Sequence, residues 1–169
     1  MGVLIIVVRA LHIVGGVFWA GAAILLYGFV VPSVAATRPD SNRFMQHLAG
    51  KSGLTFWMTV ASWATVVGGL ALFAPVTGDL EPAIMRSPRG MALSLGALLA
   101  LAAFLEGNFV TAPNARKVGA IAREFEGKAP TPEQLERLQA AQRKMVGAGT
   151  RGAWMLGAAA LLMAIARYL

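Results

Sequence analysis

Four apolar stretches, at about residues 3–31, 53–74, 90–112 and 148–166, decide what this chain can fold into. Each has roughly the 20 residues that an α-helix needs to cross a ~30 Å hydrocarbon core. A backbone in hydrocarbon must satisfy its own hydrogen bonds, so segments of this length are expected as helices. Composition agrees: 57% of the residues are hydrophobic and only 14% are charged, against about 25% charged in soluble domains. The expected fold is all-α, a polytopic membrane protein whose 169 residues form one domain, an antiparallel four-transmembrane-helix bundle. Met1-Gly2 leads straight into apolar residues without a basic leader, so the first span is expected to be retained. With no cysteine, the chain has no disulfide, thiolate metal site, iron–sulfur cluster or covalently attached haem.

The net charge of +7 is distributed topologically. Arg38, Arg43 and Lys51 lie between spans one and two; Arg116, Lys117, Arg123, Lys128, Arg137, Arg143, Lys144 and Arg151 lie between spans three and four. Only Arg9, Arg86, Arg89 and Arg167 belong to the other side. The positive-inside rule then makes both basic loops cytoplasmic and both termini external, in the inner (cytoplasmic) membrane of a bacterium. The basic excess is accounted for by topology, and no nucleic-acid partner is expected. The expected partners are the lipid bilayer and other membrane subunits or further copies of the chain.

Pro32, Pro75 and Pro113 are expected to end spans one, two and three, because proline lacks the amide hydrogen and crowds the preceding turn. Asp40 or Ser41 is a candidate N-cap for an interfacial helix before span two. Residues 113–147 are expected to form a cytoplasmic helical hairpin. Thr131 or Pro132 starts its second arm, which runs on into span four. Small residues at four-residue spacing, such as Gly16-Ala20, Ala61-Thr65-Gly69, Ala92-Gly96-Ala100 and Ala153-Gly157, read as ridges for close helix approach.

Ionisable groups at membrane depth mark candidate sites. Arg9, His12, Gly16 and Trp19 follow i, i+3, i+7, i+10 and so share one stripe of the first helix. A cation, an imidazole, a gap and a broad indole on one face suit a flat anionic macrocycle. His12 would be the axial metal ligand of a b-type haem or related tetrapyrrole, and Arg9 would pair with a propionate. The competing expectation is structural: His12 bonds a neighbouring carbonyl or polar side chain, and Arg9 reaches to the interface. His47 cannot be the second axial ligand. It belongs to the opposite membrane face, ~30 Å away, whereas two nitrogens on one iron stand about 4 Å apart. A methionine such as Met91 or Met163, solvent, or another chain would have to serve, and Met85 with Met91 near His12 makes a soft copper site the weaker option. Glu106, near the end of span three, is expected to pair with Arg43, Lys51 or His47.

The run Arg9-Ala10-Leu11-His12 followed by Trp19-Ala20-Gly21 resembles the first helix of a loose group of bacterial four-span membrane proteins. The group includes copper-resistance D-type membrane domains and the membrane protoporphyrinogen oxidase that binds haem b. The resemblance covers helix one, is faint from Arg43 to Gly69, and beyond that rests on span count. It implies a four-helix bundle with His12 at the family histidine, and haem or copper handling as themes. The oxidase's later basic residue and the copper proteins' further His and Met positions have no counterpart here. The reading from sequence is therefore a redox-accessory bundle, not an enzyme, that holds haem through His12. The alternatives are a cofactor-free accessory subunit of a larger respiratory or photosynthetic complex, a porphyrin-metabolism oxidase and a copper-transport component.

Overall fold

The computed structural model describes residues 2–37, 41–125 and 128–169, and these are helical almost throughout. Four helices are long and apolar enough to cross a membrane: Gly2–Ala36, Leu54–Val76, Pro88–Glu124 and Pro132–Tyr168. The first consists of α1 (Gly2–Leu25), a π-helical turn (Leu26–Val30) and α2 (Val31–Ala36). The short α3 (Asn42–Gly50) precedes α4 (Leu54–Val76), and Gly53, at φ 74°, supplies the left-handed residue that turns one into the other. A single-turn α5 (Pro82–Arg86) leads to α6 (Pro88–Leu105), a second π-helical turn (Glu106–Thr111) and α7 (Ala112–Glu124). The last helix, α8 (Pro132–Ile165), is continuous over 34 residues.

Two prolines expected to end spans do not. Helix one continues through Pro32 to Ala36, and helix three continues through Pro113 to Glu124. In both cases a π-helical turn ends two residues before the proline. The wider turn shifts the hydrogen-bond ladder around the missing amide and relieves the crowding of the ring against the preceding carbonyl. Pro75 does stand at a helix end, one residue before the last of α4.

The helix starts follow local chemistry. Thr131 caps α8: its hydroxyl accepts from the Gln134 amide at 3.2 Å, and the Gln134 side chain accepts from the Thr131 amide at 2.9 Å. Ser87 caps α6 by accepting from Gly90 N at 3.2 Å. Ser41 precedes α3 but turns its hydroxyl back to donate to the Val34 carbonyl at 2.9 Å, which ties α3 to α2 instead of capping α3. Asp40, the other candidate cap, lies outside the described residues.

α1 packs chiefly against α4, α6 against α8, and α7 along α8. Lipid tails are as apolar as the side chains, so these contacts rest on close packing and polar contacts instead of hydrophobic expulsion. The small-residue ridges provide that closeness. A Cβ on Gly15 would stand 2.8 Å from Thr65 Oγ1 and 3.1 Å from the Ala61 carbonyl; one on Gly96 would stand 3.4 Å from the Ala159 carbonyl. The buried centre holds Trp19, Ala23, Ala61, Ala103, Phe104, Ala153 and Leu156. Phe104 meets Trp19 and Trp63 edge-on, with ring centroids 6.5 and 4.8 Å apart.

Candidate functional site

The imidazole of His12 lies in a notch of α4. Gly68 and Gly69 form its floor: a Cβ on Gly69 would stand 2.9 Å from His12 Cε1, and one on Gly68 3.2 Å from His12 Cβ. His12 Nδ1 is 2.7 Å from the Thr65 carbonyl oxygen. A carbonyl only accepts, so Nδ1 carries the proton and donates. Nε2 makes no hydrogen bond among the described residues. In hydrocarbon the Nδ1–H would otherwise be an unpaired donor, so this bond both satisfies the ring and joins α1 to α4.

The other members of the stripe have different surroundings. Gly16 faces Thr65, whose Cγ2 would lie 3.5 Å from a Cβ at that position, so the side chain of α4 occupies the gap. Trp19 is 5% exposed and belongs to the core with Phe104. Arg9 is exposed and makes no ion pair or hydrogen bond among the described residues. His12, Gly16 and Trp19 thus share the seam between α1 and α4, while Arg9 stands outside it. A macrocycle bordered by all four would have to enter that seam where Thr65, Gly68 and Gly69 already stand.

Of the candidate second ligands, Met163 packs over Gly96, its Cγ 3.2 Å from where a Cβ would be, and Met91 is exposed. His47 is exposed on α3. Among the described residues no three His, Cys, Asp or Glu side chains cluster as metal ligands.

Glu106 pairs with Arg151 on α8, and not with Lys51 or His47; the Arg43 side chain lies outside the described residues. Arg151 Nε and Nη2 both donate to Glu106 Oε1, at 2.9 and 2.7 Å. The other carboxylate oxygen, Oε2, is buried without a partner. Glu106 is the first residue of the second π-helical turn. The charge count groups Arg151 with the basic residues between spans three and four, whereas the expected span 148–166 already contains it, and the structure places it within α8. Thr65 and Gly69 appeared in a small-residue ridge, but their role as acceptor and floor for His12 needs the register of α1 on α4.

Compared with known proteins, the chain matches no family model, no curated protein and no solved structure.

Proposed function

We propose that this chain is a non-catalytic accessory subunit of a larger respiratory or photosynthetic complex in a bacterial cytoplasmic membrane. In this reading it is an antiparallel bundle with external termini, its α7–α8 hairpin is cytoplasmic, and His12 is an interhelical clasp. The charge distribution along the sequence supports that orientation. The observation that carries the reading is the state of the first helix. It is the most apolar of the four, with a mean hydropathy of 2.2, yet only 6% of its most apolar window is buried within the chain, against 33% for the last helix. Inside the bundle this helix uses the stripe through His12, Gly15, Gly16, Trp19 and Ala23, and further along it Tyr27 packs on Gly149 of α8. The remaining faces of a 35-residue helix, ~52 Å long, are free for lipid or for a larger membrane protein.

One observation favours a second reading, in which His12 holds a b-type haem. A ligating histidine characteristically donates its other ring N–H to a carbonyl, and Nδ1 does so here, which leaves Nε2 as an electron-pair donor. The resemblance over helix one points the same way. Because Gly16 and Trp19 face the α1–α4 seam, His12 is the one member of the stripe that would hold such a haem.

Gentle solubilisation of the native membrane, followed by affinity purification of the full chain, separates the readings. The accessory reading expects a colourless chain in constant ratio with larger subunits. A lone chain without partners, or a Soret band that His12→Ala abolishes, overturns it, and the latter result selects the haem reading.

A further inference from the structure

The long helices leave a cavity of about 160 Å³ among them, partly open at one side. It is bounded by the end of α1 and its π-helical turn, by α3, by the first half of α4, by the π-helical turn of span three and by the middle of α8. Its wall is mainly apolar, with Trp19, Met58 and Met145 among its residues. His12 is not on it, so the inference is independent of the role given to that residue.

Three polar groups of this wall lack full satisfaction among the described residues. Tyr27, on the first π-helical turn, lays its ring against Gly149 of α8, and its hydroxyl makes no hydrogen bond. Asn108, on the second, donates from Nδ2 to the Phe104 carbonyl at 3.0 Å, which leaves Oδ1 free to accept. The Thr111 hydroxyl is buried with no partner. Ser62 and Thr59 differ: their hydroxyls donate to carbonyls of their own helix at 2.8 and 2.9 Å. Of the three, the Thr111 hydroxyl is fully buried, and a buried polar group without a partner is rare inside native proteins; with the Tyr27 hydroxyl and Asn108 Oδ1 on the same otherwise apolar wall, it points to a ligand that pairs with them.

Size and chemistry narrow that ligand. A cavity of about 150 Å³ accommodates a benzene ring. The hydroxyls of Tyr27 and Thr111 can donate to ring oxygens, and Asn108 Oδ1 can accept from a ring hydroxyl. An acyl chain would leave all three groups unpaired. The cavity is partly open, so a ring bound in it need not be fully enclosed and can carry a tail. We propose that this cavity binds the head ring of a lipid-soluble quinone or its quinol.

The test is a titration of the purified full chain in detergent with a short-tailed ubiquinone analogue, followed by tryptophan fluorescence. Quinones quench indole emission, Trp19 lines the cavity, and Trp154, 78% exposed, reports quinone merely dissolved in the micelle. Saturable quenching that is lost in Trp19→Phe but kept in Trp154→Phe is expected. Tyr27→Phe and Thr111→Val should each raise the apparent Kd about fivefold, the equivalent of one hydrogen bond. Thr111→Ser, which keeps the hydroxyl, should bind as wild type, and far-UV circular dichroism confirms that each variant is folded. Linear quenching that is equal in wild type and Trp19→Phe overturns the proposal. So does an unchanged Kd in both hydroxyl variants, or full displacement of the quinone by an equimolar fatty acid.

Discussion

Gly15 and Gly16 are neighbours in sequence, yet the seam with α4 treats them differently. A methyl group on Gly15 would press on the Ala61 carbonyl, part of a helix backbone that cannot yield, whereas one on Gly16 would make an ordinary contact with Thr65. Gly15→Ala is therefore expected to destabilise the bundle by about 1–3 kcal/mol, and Gly16→Ala by less than about 0.5 kcal/mol. Unfolding by sodium dodecyl sulfate in mixed micelles measures both; equal effects would contradict the packing described. His12→Ala removes the bond to the Thr65 carbonyl and leaves the notch empty, for a loss of about 1–2 kcal/mol on the same scale. The stripe containing His12 was legible from spacing alone. What the residue does there was not, because a donor's partner depends on which residues of another helix lie opposite, and spacing within one helix carries no information about that.

The helices themselves were legible because a long apolar run in a membrane has few alternatives to a helix. The prolines were harder. Reading Pro32 and Pro113 as stops applies a rule suited to regular helices, whereas a π-helical turn before each lets the helix continue. The same turns place Tyr27, Asn108 and Thr111 on the central cavity, which no pattern in the sequence announces. Glu106 and Arg151 belong to this scale too, since their meeting depends on the register of α6 on α8. Arg151→Ala leaves a half-buried carboxylate with neither oxygen paired, so it is expected to destabilise more than the double change Glu106→Gln with Arg151→Gln. Detergent unfolding of the two variants side by side checks the order. At the start of α8, Thr131→Ala removes one half of the capping box. It should cost about 1 kcal/mol, visible as faster hydrogen exchange confined to the first turn.

At the scale of the whole molecule, the basic residues of the two loops predict one orientation. The natural chain has no cysteine, which makes single introduced thiols clean reporters. Ala83→Cys, on the short α5, should react with an impermeant maleimide on intact spheroplasts, and Gln139→Cys, in the first turns of α8, only after the membrane is opened. The reverse pattern would invert the assigned topology. The central claim is that His12 holds α1 against α4 and carries no cofactor, and the visible absorption spectrum of the chain purified from its native membrane tests it most directly. The account predicts no Soret band in either wild type or His12→Ala, with the variant less stable. A Soret band in the wild type that disappears in His12→Ala would contradict it.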